Sequence, residues 1–363
     1  MAVDRHVPPS VLKLQPYQAG KTVEQIGREI GVEVTVKLSS NENPLGSSPA
    51  ALRALAAPQD YAPHLYPDAA AVALRAAIAK KLNLEPEQVI CGNGSNDILE
   101  MAATLTLRPG SKAVYAQHSF VVYRLATFAR GAEAIEVPAA NFGHDLDAMA
   151  EACQQDGVRI VYVANPNNPT GSWHEPEAVA AFVAKIPEDV LVVLDEAYHE
   201  YVEDGPGPTL ALLAKHPNLL ISRTFSKIHG LAGLRIGYGL AQPGLLALLN
   251  RVRQPFNANS AAQAAAAAAL ADDDFIARSK DANRAGMTQL QEGLAAKGYP
   301  TIPSCGNFIC FASGDGAAMF MTLLRGGVVI RNIDEYGLAN WLRATVGTEE
   351  NNAQLLAALP ART

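Results

Sequence analysis

Short β-branched apolar runs that alternate with alanine-rich amphipathic stretches constrain this chain more than any other feature. The runs are Gln88–Cys91, Lys112–Ala116, Ala134–Val137, Arg159–Ala164, Val190–Leu194, Leu219–Ser222 and Ile236–Leu240. Between them lie helix candidates at Asp97–Leu107, Val122–Ala129, Leu146–Gln155 and Glu175–Lys185. Strands of about five residues separated by helices predict an α/β fold, with a mostly parallel sheet and helices on both of its faces. The alternation stops near Arg253-Gln254-Pro255-Phe256. One long helical region, Ala261–Ala296, follows, then shorter strands at Gly306–Phe311 and Val328–Arg331 and a last pair around Trp341–Val346. The chain therefore reads as an irregular arm over 1–45, a large domain over 46–255 and a smaller α+β domain over 256–363, with the arm packing on the smaller domain or on a partner.

Composition narrows the class. A length of 363 residues suits two domains, and 49% hydrophobic against 18% charged residues is a core-forming balance. The net charge of −7 with scattered basic residues argues against nucleic acid. Cys91, Cys153, Cys305 and Cys310 have neither Cys-x-x-Cys spacing nor companion histidines, so free thiols in a reducing compartment are expected and metal is not. The first residues lack the apolar run of a signal peptide. The alanine tract Ala261–Leu270 contains Gln263 and ends at Asp272-Asp273-Asp274, which reads as a buried helix rather than a membrane span. A soluble, cytoplasmic protein is expected.

In open α/β sheets ligands gather beyond the carboxyl ends of the strands. The polar residues that close the strand candidates form a set. Gly92-Asn93-Gly94-Ser95-Asn96-Asp97 opens a helix and would expose N–H groups to a phosphate, or is an ordinary capped glycine turn. Phe120, after His118-Ser119, stacks on an aromatic ligand or belongs to the core. Asn165-Pro166-Asn167-Asn168-Pro169-Thr170-Gly171 is a rigid polar loop. Asp195 ends an apolar run, where a carboxylate is costly unless paired; a pyridinium nitrogen and the cap of the next helix both fit. Tyr198 follows three residues on, within reach of the same ligand.

Ser222-Arg223-Thr224-Phe225-Ser226-Lys227, with Arg235 downstream, adds the decisive chemistry. A lysine that forms a Schiff base needs a desolvated pocket and nearby positive charge. A phosphate needs hydroxyl donors and an arginine fork. Together these demands point to pyridoxal 5′-phosphate (PLP), an aldehyde that carries a phosphate handle. Arg331 and Arg343 each end an apolar run, as anion ligands or as snorkelling surface cations. Tyr17 and Tyr66 fit packing roles at a domain edge equally well.

At these residues the chain resembles the fold-type I PLP-dependent aminotransferases of class I/II, and within them the histidinol-phosphate aminotransferase family. The resemblance covers nearly the whole chain. It rests on Pro16-Tyr17, Ser40-Asn41-Glu42-Asn43-Pro44-Leu45-Gly46, Leu65-Tyr66-Pro67, Asn165–Gly171, Asp195–Tyr198, Ser226-Lys227, Gly230–Arg235 and Leu342–Thr348. It implies that Lys227 holds the cofactor and shuttles the proton, and that Asp195 binds the pyridine nitrogen. Asn168 and Tyr198 would bond the ring oxygen, and Phe120 would stack on the ring. Ser95, Asn96, Thr224, Ser226 and Arg235 would hold the cofactor phosphate. Arg343 would grip the acidic group of the substrates, with Asn43, Asn168, Tyr17, Arg331 and Tyr66 also binding substrate, Tyr66 from the other subunit of a homodimer. The implied reaction moves the amino group of L-histidinol phosphate to 2-oxoglutarate, giving glutamate, in histidine biosynthesis.

Two positions depart from the family pattern. His229 stands where relatives more often carry Tyr or Phe, and is expected to face the pocket or the dimer seam. Arg124 stands where relatives often carry Pro. An aromatic amino-acid aminotransferase and a PLP-dependent lyase of the threonine-phosphate decarboxylase kind share many of these motifs; the arm bearing Tyr17 favours an aminotransferase over the lyase. A nucleotide-binding α/β protein would need a G-x-G-x-x-G or Walker pattern at Gly92–Asp97, and neither is there.

Overall fold

The computed structural model describes residues 5–12, 14, 25, 27, 28, 31, 33–57, 62, 64–202 and 209–362. Its large sheet has strands β2 (Val89–Gly92), β3 (Lys112–Ala116), β4 (Glu133–Val137), β5 (Val158–Ala164), β6 (Leu191–Asp195), β7 (Leu219–Thr224) and β8 (Gly237–Leu240). Their order is β2-β8-β7-β6-β5-β3-β4. β8 runs antiparallel to β2 and β7, and the other pairings are parallel. The α/β class and the mostly parallel seven-stranded sheet follow the sequence pattern.

Alternate residues of each central strand enter different cores. Val161, Val163, Val192, Leu194, Leu219 and Ile221 pack with helices Val72–Leu82, Leu146–Ala152 and Pro176–Lys185. Ile160, Tyr162, Val193 and Leu220 pack on the other face with helices Ser95–Thr106, Val121–Ala129 and Pro243–Val252. A sheet buried on both faces needs apolar residues at every position, hence the continuous apolar runs.

The smaller unit has β9 (Thr301–Ile302), β10 (Phe308–Ala312), β12 (Arg331–Asn332) and β13 (Trp341–Thr345) in the order β12-β13-β10-β9. From the arm, β1 (Val36–Lys37) pairs in parallel with β11 (Val328–Val329). Its core joins Val36 and Leu38 to Leu290, Leu294, Ile309, Phe311, Leu342 and Leu355.

The helical region over 261–296 forms two helices, Ser260–Leu270 and Asp273–Ala296, because Asp272 caps the second: its Oδ1 accepts from Phe275 N at 3.2 Å. The first of these lies beyond the expected boundary at 255/256, yet Ala262, Ala265, Ala266 and Ala269 are wholly buried in the core of the large sheet. Small side chains let it lie close against helices Pro49–Leu55 and Val72–Leu82. The strand expected at Val328–Arg331 splits at buried Ile330, so that β11 and β12 join different sheets.

Candidate active site

The carboxyl ends of β2, β3, β5, β6 and β7 open into one cavity of about 260 Å³. It is closed from the other side by Ser39–Glu42, Arg331, Tyr336 and Arg343. Ser95, Asn96, Phe120, Asn168, Asp195, Tyr198, Thr224, Ser226, Lys227 and Arg235, all picked out from the sequence, line it.

Asp195 is the last residue of β6, one position inside the strand rather than after it. Its Oδ2 accepts from Tyr123 Oη at 2.9 Å, while Oδ1 is buried with no partner. Burial pushes the carboxyl up to about 6, against the pull of the Tyr123 hydroxyl. The short turn at His199–Tyr201 starts from Tyr198, so Asp195 does not cap it; its carboxyl is tied down from below the sheet by Tyr123 and also draws on the Ala197 N–H.

Tyr123 was not singled out in the sequence. It lies on Val121–Ala129, fully buried and stacked on Tyr162 at 4.7 Å. The signal was the hydroxyl: a tyrosine on the apolar face of a helix needs a partner. That partner, on β6, is distant in sequence.

Lys227 Nζ donates to Ser40 O at 3.2 Å and lies 5.6 Å from the centre of the Tyr198 ring. Burial, and then the Arg343 charge, lower the ammonium to about 8. Tyr198 Oη accepts from Asn41 Nδ2 at 3.0 Å. At the other end of the cavity Gly94 has φ +78°, and a Cβ there would lie 2.5 Å from Arg235 Nη2, so the guanidinium rests on the turn that starts helix Ser95–Thr106. The first-turn N–H groups of Ser95 and Asn96 sit there with the Thr224 and Ser226 hydroxyls, a cradle for an anion. Arg235 Nη1 also donates to Ala232 O at 2.9 Å.

Arg331 and Arg343 are directly opposite each other on β12 and β13. Arg343 is buried, so the surface-cation alternative fails for it. Its Nη1 donates to Asn168 Oδ1 and its Nη2 to Ser39 O at 2.9 Å, while Nε is left unpartnered. Arg331 is paired with Glu335.

Other expected residues lie elsewhere. Asn43 does not line the cavity: Nδ2 donates to Ile228 O at 2.7 Å and to Ser279 Oγ at 2.9 Å, and Oδ1 accepts from Leu45 N. It fastens the loop Ser40–Gly46 to the turn that carries Lys227. Tyr66 is 81% exposed and stacks on Phe256 at 4.6 Å, outside the cavity of its own chain. Tyr17 lies outside the described residues. His229 is buried beneath the lysine turn and outside the cavity, 3.5 Å from Glu200 Oε1 and stacked loosely on Phe225. It faces neither the cavity nor, being buried, a surface that a partner could cover, so its expected place at the pocket or the dimer seam is corrected. Among the described residues no group of His, Cys, Asp and Glu is arranged to hold a metal, and no helix is long and apolar enough to cross a membrane.

A large sheet with this cavity at its strand ends, and a lysine, a carboxylate and paired arginines inside it, has counterparts among known proteins. The family model for aminotransferase class I and II matches residues 33–359. The chain belongs to that family. Within it, the histidinol-phosphate aminotransferase 2 of Ralstonia nicotianae is 51% identical over 97% of this chain and 96% of its own length. The histidinol-phosphate aminotransferase of Methylobacillus flagellatus is 50% identical over 97% and 96%. The crystal structure of histidinol-phosphate aminotransferase from Sinorhizobium meliloti in complex with PLP superposes with a TM-score of 0.91 at 30% identity, covering 98% of this chain and 96% of that one.

Proposed function

We propose that this protein is a PLP-dependent transaminase that takes the amino group of L-histidinol phosphate and passes it to 2-oxoglutarate. The observation that carries the substrate is the pair Arg331 and Arg343, side by side at one wall of the cavity. Two arginines at opposed strand positions on one cavity wall suit a phosphomonoester in one half-reaction and a carboxylate in the other. The relatives at about half identity bear the same substrate in their names.

The residues present fit PLP. Asp195 Oδ1 is a buried acceptor that lacks a donor, which a protonated pyridine nitrogen supplies. Gly94, at φ +78° beside the Arg235 guanidinium, starts helix Ser95–Thr106, which brings first-turn N–H groups and a cation to one place, as a phosphate requires. When bound, PLP supplies an aldehyde that accepts the amino group and a ring that withdraws electrons. Lys227 Nζ then anchors the cofactor and moves a proton between the substrate Cα and the cofactor C4′. Asp195 keeps the pyridine nitrogen protonated. Asn168 and Tyr198 hold the ring oxygen, Phe120 covers the ring, and Arg343 orients the substrate anion.

Tyr123 holds Asp195 through the oxygen that the cofactor does not use. Tyr123→Phe is expected to lower kcat/KM about ten-fold, the scale of one hydrogen bond to a charged group. An unchanged rate would reduce the tyrosine to a filler beneath the sheet.

A homodimer is part of this reading. Tyr66, Leu65 and Phe256 are large, apolar and exposed, which supports a covered face from which Tyr66 reaches the partner's cavity. Tyr17, outside the described residues, is read as a further ligand of the substrate phosphate. The division of the chain into an arm, a cofactor-binding unit and a smaller α+β unit, and a cytoplasmic location, belong to the same proposal.

The experiment is kcat/KM for L-histidinol phosphate and for phenylalanine, in wild type and in Arg331→Ala. Histidinol phosphate lacks an α-carboxylate, so its phosphate must reach the arginines. Arg331→Ala should weaken histidinol phosphate more than phenylalanine, by roughly 1–3 kcal/mol. A wild type that prefers phenylalanine, or equal losses with both donors, would make this an aromatic amino-acid aminotransferase.

A further inference from the structure

The rigid loop after β5 ends against the smaller unit, and a side chain outside the cavity decides where part of it rests. Cys310 Sγ on β10 donates to Pro169 O at 2.9 Å. The residue before Pro169 is Asn168, whose Oδ1 accepts from Arg343 Nη1. Arg343 on β13 is the direct cross-strand partner of Cys310. The contacts close a ring: Arg343 to Asn168, along the chain to Pro169, across to Cys310, and back over the strand pair. Cys310 itself is wholly buried and does not line the cavity.

The far end of the loop is seated separately. Cys305 N donates to Gly171 O at 2.9 Å. Gly171 has φ +81°, and a Cβ there would come within 2.1 Å of Ser304 Oγ. At the Asn168 end the side-chain anchor is Cys310. Without it the Asn168–Pro169 segment has one fewer tie to the smaller unit, and the acceptor held against Arg343 has room to drift. Arg343 would then keep Ser39 O and the face of the Phe308 ring, 5.4 Å from its guanidinium carbon.

We propose that Cys310 is a positioning residue: through Pro169 and Asn168 it fixes the orientation of Arg343, and so sets the affinity of the site for the anionic group of its ligands. The proposal rests on the reading of Arg343 as the anion-gripping residue. Burial pushes the thiol up to about 12, so it stays a protonated donor at neutral pH. A sulfur this close to the carbonyl leaves room for the shorter hydroxyl of serine to make the same bond, whereas valine fills the space without donating.

The test compares Cys310→Ser, Cys310→Val and Cys310→Ala as PLP-loaded enzymes. Cys153→Ala, in the core of the large sheet, is the control for loss of a buried thiol. Two readouts are taken: kcat and KM for L-histidinol phosphate, and the Kd of succinate, a dicarboxylate that needs Arg343 but no amino-group chemistry. The Val and Ala variants should raise KM and the succinate Kd about three- to ten-fold, with kcat within about twofold of wild type. Serine should restore both, and Cys153→Ala should move only the melting temperature. The alanine variant decides the matter if valine does not fold. A succinate affinity in the Val or Ala variant equal to wild type overturns the proposal, as does a serine variant as weak as valine. A wild type that rejects histidinol phosphate overturns the substrate reading alone, because the succinate measurement still reports on Arg343.

Discussion

Lys227→Ala is expected to leave a folded protein that binds PLP loosely and does not transaminate. The substitution removes one hydrogen bond, to Ser40 O at 3.2 Å, from a residue that lines a cavity rather than a core. Arg235, the Ser95 and Asn96 turn and Asp195 remain to hold phosphate and ring. Loss of the proton shuttle alone is worth about 10²–10⁴ in rate, and loss of the covalent anchor adds to it. Borohydride should fix cofactor mass to Lys227 in wild type and to nothing in the variant. The wild-type apoprotein offers a second reading of the same amine. The neutral form is the one that attacks an aldehyde, and the lysine is lowered from 10.5 to about 8. Below that pH the ammonium is inert, so covalent uptake of PLP should accelerate as pH rises through about 8 and level off above it. A midpoint near 10.5 would mean that burial and the Arg343 charge do not act on Lys227, and a variant that transaminates normally would remove the lysine from the mechanism.

Residues that end buried strands were legible in the sequence because a polar group there has few structural reasons to exist. Asp195 stood out for that reason, Asn168 as part of a rigid polar loop beyond a strand, and Ser226 and Lys227 through the run of hydroxyls beside a lysine; all of them line the cavity. Tyr123 was hidden because its hydroxyl partner lies 72 positions away and its ring reads as ordinary helix core. Arg223 and Glu196 were hidden likewise: they form a buried pair at 2.7 Å across neighbouring strands, which no local pattern reports. Asn43 misled in the opposite direction. The motif around it matches the family, but its amide is engaged by Ile228, Ser279 and Leu45 and lies outside the cavity, where it holds the loop. His229 misled through its closeness to Lys227 in sequence, since successive residues of a turn face different sides. An alanine helix just beyond the expected boundary at 255/256 carries no mark of which core it fills. Only its packing against Pro49–Leu55 and Val72–Leu82 assigns it to the large sheet.

Asp195→Asn separates the functional from the structural reading of the same residue. Asparagine has the same shape, and either amide atom can face the Tyr123 hydroxyl, so the contact under β6 survives in some form and the fold should hold. What changes is charge. Burial raises the carboxyl to about 6, so it ionises across the neutral range and stands ready to meet a cation. A protonated pyridine nitrogen opposite Oδ1 would stabilise the carboxylate further, and the carboxylate would in turn keep that proton in place. A neutral amide cannot do this, and the ring then loses its pull on electrons during proton removal from the substrate Cα. The expected loss in kcat is at least ~10²-fold, the scale found for removing one preorganised electrostatic group. The variant should still be captured by Lys227, because that step needs only the amine. Single-turnover kinetics with L-histidinol phosphate, alongside cofactor uptake, distinguishes the two stages. Normal uptake with slow proton transfer assigns Asp195 to the pyridine nitrogen; near-normal turnover would leave it as a residue that anchors the end of β6 and nothing more.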